Sequence, residues 1–324
     1  MHSRKKQALL VLVALAAPWA QAQAQPQSYP ARAIHLVVGA PVGSGMDLGT
    51  RILAERLRHD LGQPVIVENK PDADGIIAAR AVATAAPDGY TLLPSTNSQM
   101  TINPVIKRNL SYDPLRDFEP IGMFMRVPMV LAVNASLPVG SVTELIAYAR
   151  ANPTLLNYGS GSSVFMFITE NFKSLAAIEM REIPYNGVPP MVSGLLAGDV
   201  QVGVVNLAPT LAHIKAGKLK ALAVMGDARE PLLADVPTLA EAGVRGHDLQ
   251  VWIGMFAPAG TPPEIVARLN DAIVRAVAAP EVREKMRAAG LNPVSGTPDA
   301  LGATVRRELD VIGAVAKSAG ISAR

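Results

Sequence analysis

Short apolar runs alternate with longer stretches of helical spacing along most of the chain. Residues 34–38 read as a buried strand, 40–45 as a loop of Gly, Pro and Ser, and 47–61 as a helix. In that helix Leu53, Leu57 and Leu61 share one face, and Gly62 stops it. A second strand at 65–67, an Ala-rich helix at 76–86 closed by Pro87-Asp88-Gly89, and a third strand at 90–93 repeat the alternation. Such alternation predicts a parallel sheet with crossover helices. After the stretch 112–120 the pattern restarts with a strand at 129–133 and a helix from Val142, opened by the capping box of Ser141 and Glu144. The loop 159–163 leads into a helix through Leu175, the turn Tyr185-Asn186-Gly187 into a short helix, and strands follow at 200–205 and 221–225. Thr261-Pro262-Pro263-Glu264 and Thr297-Pro298 open the late helices. The last helix carries Leu301, Val305, Leu309, Ile312 and Val315 on one stripe, which predicts that it packs back on the first lobe. The restart near Arg126 and a return strand near Trp252 predict two α/β lobes, residues 25–125 with 254–324 and residues 126–253.

The amino terminus stands outside this pattern. Arg4, Lys5 and Lys6 precede an apolar run at 8–17 and the small residues Ala20, Ala22 and Ala24, the order of a secretory signal peptide. Residues 1–24 are therefore expected to be removed, with cleavage after Ala22 or Ala24. The run is too short to span about 30 Å of hydrocarbon, so export from the cytoplasm rather than anchoring is expected. The remaining stretch of about 300 residues exceeds what one core usually organises, which again favours two lobes.

Composition removes several function classes. With no Cys, thiolate catalysis, disulfides and a lipid anchor at the cleavage site are excluded. With 30 Lys and Arg against 27 Asp and Glu, and no dense basic cluster interleaved with aromatics, nucleic acid is not expected as a partner. His35, His59, His213 and His247 lie far apart on different predicted elements, so no metal spacing exists among them. No cofactor and no catalytic residue are called for. Trp252 and Phe256 fall in a strand-like run between the lobes, where core packing competes with ligand stacking.

Two loops carry the candidate chemistry. Gly43-Ser44-Gly45 lies between a strand and a helix, where amides and the helix start can meet an anion; a plain connection with Ser44 capping and Asp47 reciprocating is the alternative. Gly159-Ser160-Gly161-Ser162-Ser163 precedes a helix in the same way, and its small hydroxyls can donate to a carboxylate; a flexible connector is the alternative. One such loop per lobe suggests a pincer. The first loop also imitates a dinucleotide site with Glu68 as the ribose acid, but Leu48 stands where the third glycine belongs. No Gly-x-Ser-x-Gly elbow surrounds these serines, and no motif assembles the Ser/His/acid set that an exported hydrolase needs.

From about Tyr29 onward the chain resembles the Bug-type substrate-binding proteins of tripartite tricarboxylate transporters. The resemblance is carried by Tyr29-Pro30, by Pro41-Val42-Gly43-Ser44-Gly45-Met46-Asp47, by Val67-Glu68-Asn69-Lys70-Pro71 and by Ala86-Pro87-Asp88-Gly89-Tyr90-Thr91-Leu92-Leu93. Ile102-Asn103-Pro104, Leu156-Asn157-Tyr158, Ile183-Pro184-Tyr185-Asn186-Gly187, the run from His213 to Leu219, and Asp235-Val236-Pro237-Thr238 follow in order. The resemblance implies a periplasmic-binding-protein type II fold, a Venus flytrap of two α/β lobes joined by two crossing strands. It implies a monomeric, non-enzymatic protein that clamps a small carboxylate and delivers it to membrane permease subunits or to a sensor protein. Carried over by position, the contacts are Gly43, Ser44, Gly45 and Met46, then Ser95, Thr96 and Asn97, then Ser160, Gly161, Ser162 and Ser163, and finally Tyr185, Asn186 and Gly187. Departures fall in the same region. Pro71-Asp72-Ala73-Asp74-Gly75-Ile76 replaces a Gly-rich run, the loop after Tyr158 is about two residues short, and Phe165 and Met166 stand where polar residues are common in the family. Val205 occupies a position where the family often has an aspartate, which speaks against a contact there for a charged amino group. An aromatic or branched monocarboxylate is the ligand these departures suggest.

Overall fold

The computed structural model describes residues 29–323 other than Ala73, Asn186 and Asp248; the expected signal segment 1–24 lies outside the described residues. The chain opens with β1 (Ile34–Val38), α1 (Gly45–Leu61), β2 (Val65–Asn69), α2 (Ile76–Ala83) and β3 (Thr91–Thr96). A π-helical turn at Ser98–Ile102, α3 (Asn103–Ile106), β4 (Phe118–Val127) and β5 (Met129–Asn134) come next. Then follow α4 (Val142–Ala151), β6 (Asn157–Ser160), α5 (Ser163–Ala176), β7 (Arg181–Pro184), α6 (Val188–Ala197), β8 (Val202–Asn206), α7 (Leu207–Lys215) and β9 (Leu219–Val224). The chain closes with β10 (Val251–Pro258), α8 (Pro263–Ala278), α9 (Pro280–Ala288), β11 (Asn292–Pro293) and α10 (Pro298–Ser318).

Two sheets result, in the orders β11-β4-β10-β3-β1-β2 and β7-β6-β8-β5-β9, giving a two-lobed α/β molecule. In the first, β1 lies parallel between β2 and β3, as crossover helices require, while β10 enters antiparallel between β3 and β4. In the second, β6 is parallel to β7 and β8, and β5 is antiparallel to β8 and β9. The chain crosses from one sheet to the other where β4 runs through Pro128 into β5, and it returns into β10. Every residue of β5 is buried, because helices cover both faces: Leu131 and Val133 join one core with Phe167 and Phe172, while Val130 and Ala132 face Met191 and Leu195. The first sheet is covered likewise, by α1 with α8 on one face and by α2 with the start of α10 on the other.

Three sequence expectations change. The helix expected at 76–86 ends at Ala83, with Thr84 as its cap. The third strand extends to Thr96, because Pro94, Ser95 and Thr96 pair with Met255, Gly254 and Ile253 of β10, a partner far away in the chain. The last helix does not pack on the first lobe alone. Its 21 residues, about 31 Å at the usual rise, outrun one lobe. Leu301 and Val305 join the first lobe's core, whereas Ile312, Val315 and Ala316 join the core of the second sheet beside α5.

Where the crossing strands meet α10, Trp252 is 2% exposed, packs against Phe256, and donates from Nε1 to Glu308 Oε1 at 2.8 Å. Trp252 is therefore a core residue. Glu308 is itself 2% exposed, and its Oε2 lies 3.2 Å from Thr101 Oγ1. The Thr101 hydroxyl also lies 2.9 Å from the Asn97 carbonyl oxygen.

Candidate functional site

At the start of α1, Ser44 caps the helix by accepting from the Asp47 N–H at 3.3 Å. Asp47 is buried and accepts from the Gly43 N–H at 2.9 Å, from Asn69 Nδ2 at 2.8 Å and from Arg51 Nε at 3.0 Å. Burial pushes its carboxyl up, but the hydrogen bonds from Arg51, Gly43 and Asn69 outweigh that and hold it below the usual carboxylate range. The chain's own carboxylate thus takes the Gly43 amide that the sequence suggested for a ligand. Gly45 and Met46 begin the helix, where geometry leaves N–H groups without intrahelical partners. The Met46 side chain is turned into the first lobe's core.

The segment Ser95 to Asn97 faces inward. Ser95 is wholly buried and donates from Oγ to Gln99 Oε1 at 2.9 Å, a consequence of β3 extending to pair with β10. Thr96 Oγ1 accepts from the Ser98 N–H at 3.2 Å. Asn97, also buried, donates from Nδ2 to the Gln250 carbonyl at 3.0 Å, while its Oδ1 has no hydrogen-bond partner among the described residues. These three hold the π-helical turn and the crossing strand together. They do not line the inter-lobe cleft described below.

In the second lobe, Ser160 ends β6 and donates from Oγ to the Glu182 carboxylate on β7. The two strands are parallel with Tyr158 opposite Glu182 and Ser160 opposite Pro184, so Ser160 and Glu182 project on the same face. Gly161 touches the next loop: a Cβ there would lie 2.9 Å from the Gly187 carbonyl and from Val188 Cα. Gly161→Ala should therefore displace one loop from the other and cost roughly 1–3 kcal/mol, the usual penalty of overpacking. Urea denaturation checks this, and an unchanged midpoint would mean that the two loops are free to part. Ser162 is the N-cap of α5, in extended conformation, yet its side chain makes no capping hydrogen bond. Tyr185 donates its N–H to the Ser160 carbonyl at 2.8 Å, and its ring leaves no room for a Cβ on Gly194. Asn186 lies outside the described residues, and Gly187, at φ 108°, caps α6 in a conformation that favours glycine.

A cleft of ≈ 360 Å³ opens between the lobes. From the second lobe Ser160, Ser162, Ser163, Tyr185, Met166 and Glu182 reach it; from the first come Asp74 and Lys107, which pair at 2.6 Å. Ile321 and Ser322, after α10, close one side. The structure thus gathers the second Ser/Gly loop with Tyr185, and leaves Gly43 to Met46 and Ser95 to Asn97 outside this cleft. Phe165 and Met166 divide: Phe165 enters the core and Met166 lines the cleft. Lys107 and Glu182 were not singled out from sequence, and Asp74 only as part of the run 71–76 that departs from the family's Gly-rich one. Asp74 reads as a turn marker and Lys107 has no motif, whereas Glu182 could have been found from its period-two placement beside Ser160.

With this geometry in hand, comparison with known proteins is specific. A model of the tripartite tricarboxylate transporter family receptors matches residues 50–321. Protein BugT of Bordetella pertussis is 37% identical over 275 residues, which cover 84% of either chain. A solved structure of the R. palustris protein Rpa4515 with adipate shares 37% identity at a TM-score of 0.77, covering 91% of this chain and 100% of that one. MatC from Rhodopseudomonas palustris with bound malate shares 29% identity at a TM-score of 0.73, covering 89% and 99%.

Proposed function

The chain belongs to the tripartite tricarboxylate transporter receptor family, a family of solute-binding receptors and not of enzymes, and from that premise we propose that it captures a small carboxylate between its lobes. In this reading the protein works in the periplasm after loss of residues 1–24 and delivers its ligand to the permease subunits of a tripartite tricarboxylate transporter. The observation that carries it is the start of α5. Ser162 is placed to cap that helix but does not, and it lines the inter-lobe cleft instead, next to helix-end N–H groups without intrahelical partners. A carboxylate meets at such a point both hydroxyl donors and the positive end of the helix dipole. Adipate and malate, bound in two relatives, are carboxylates of a size suited to the cleft. The first loop, Gly43 to Met46, belongs to this proposal as well through the α1 helix-start amides of Gly45 and Met46, since Asp47 holds the Gly43 amide, and it requires the lobes to bring α1 and α5 toward one ligand.

Native mass spectrometry of protein isolated from the cell envelope tests the reading. One small acid per chain, on a polypeptide beginning at Gln23 or Gln25, is the expected result. A full-length chain from Met1 held in the membrane fraction, with no acid bound and no thermal shift from adipate or malate, would sink it.

A further inference from the structure

The cleft is not electrically balanced. Lys107 is committed to Asp74 at 2.6 Å, so that pair presents little net charge to a ligand. Glu182, on the other wall, meets no cationic side chain within ion-pair distance among the described residues. Its one described side-chain hydrogen bond comes from Ser160 Oγ, and Ser160 is 4% exposed, so this hydroxyl does not turn away to solvent. A carboxylate offers about four lone-pair positions and Ser160 fills one, which leaves Glu182 with acceptors aimed at whatever occupies the cleft. Among the described residues, the side chains lining the cleft therefore carry one uncompensated negative charge, Glu182, beside the α5 helix start.

Resting on the proposed carboxylate site at α5, we infer that Glu182 selects the other end of the ligand, and that the cleft takes a monocarboxylate bearing an ammonium group in preference to a dicarboxylate. A single carboxylate satisfies the α5 start, and the ammonium answers Glu182 with a charge-assisted hydrogen bond. A second carboxylate would instead face a like charge, across a cleft whose lysine is already spent.

Adipate and 5-aminopentanoate form the matched probes, because both have a four-methylene spacer and differ only in one charged end. Calorimetric titration of the mature protein should show 5-aminopentanoate binding at least about tenfold tighter, a difference of about 1.4 kcal/mol. Glu182→Gln keeps a partner for Ser160 and the side-chain volume, and a thermal melt confirms its fold. That variant should lose the preference by about tenfold or more, with adipate gaining. Equal affinities in wild type, or a ratio that Glu182→Gln leaves unchanged, overturn the inference. If both probes bind wild type equally and Ser162→Asp abolishes both, the role of Glu182 fails while the carboxylate site stands. If neither probe binds at millimolar concentration, the carboxylate site fails and this inference goes with it.

Discussion

Ser162→Asp should abolish carboxylate binding while leaving the ligand-free protein as stable as wild type or slightly more so. Ser162 holds the N-cap position of α5 in extended conformation, where Asp is as good a cap as Ser and its charge suits the helix dipole. The same charge stands where the ligand's carboxylate is proposed to sit. Two like unit charges about 4 Å apart, at the effective dielectric near a protein surface, repel by about 4 kcal/mol. That corresponds to nearly a thousandfold loss of affinity. At a ligand concentration one hundred times the dissociation constant, binding adds about 2.7 kcal/mol to wild-type stability, enough for a thermal shift of several degrees in a chain of this size. The variant should show no shift. Retention of the full shift would move the site away from α5; an unfolded variant would make Ser162 a structural residue.

Stability should fall as pH rises from about 4.5 to about 7 because of Glu308, and Glu308→Gln should remove that component. Burial pushes this carboxyl up from its ordinary 4.5 to about 7, against the opposing influence of Trp252, Thr101 and the nearby Arg307 and Arg126. Hydrogen counting agrees. Thr101 has one hydroxyl hydrogen, and donating it to Asn97, the shorter contact, leaves the Glu308 contact satisfied only if Glu308 carries a proton and donates it. Between the two pKa values the folded chain holds a proton that the unfolded chain has released, so the folded state loses stability with rising pH and the loss is complete above about 7. The total is roughly 3 kcal/mol. Glutamine reproduces the protonated acid, with its NH2 toward Thr101 and its carbonyl accepting from Trp252. Denaturation of both proteins across pH 4 to 8 checks this, since the other carboxylates cancel in the difference. Parallel curves would show that folding leaves the Glu308 carboxyl at its ordinary pKa.

The strand and helix alternation of the two-lobed α/β fold was legible because each element buries one face locally, as Leu53, Leu57 and Leu61 do along α1. What pairing between distant segments decides was not. The resemblance places Ser95 and Thr96 after the third strand as contacts, but β10, more than 150 residues later, draws them into that strand and turns Ser95 inward. Gly43 carries the features of an anion loop, and nothing in its spacing reveals that Asp47 bends back to take its amide. The Ser/Gly loop before α5 was legible as a carboxylate candidate because helix-start chemistry is local. The Asp74–Lys107 pair opposite it arises only when the chain folds.

The reach of α10 bears on how the molecule assembles. Ile312, Val315 and Ala316 complete the second lobe's core, while Leu301 and Val305 complete the first lobe's. The first sheet in turn lacks its middle strand until β10 has been made. Domains of a growing chain generally fold in order from the amino end, each as its own segment is completed. Here one core cluster of each lobe includes residues of the same helix, so the two lobes reach their final packing together once α10 is in place, rather than in succession.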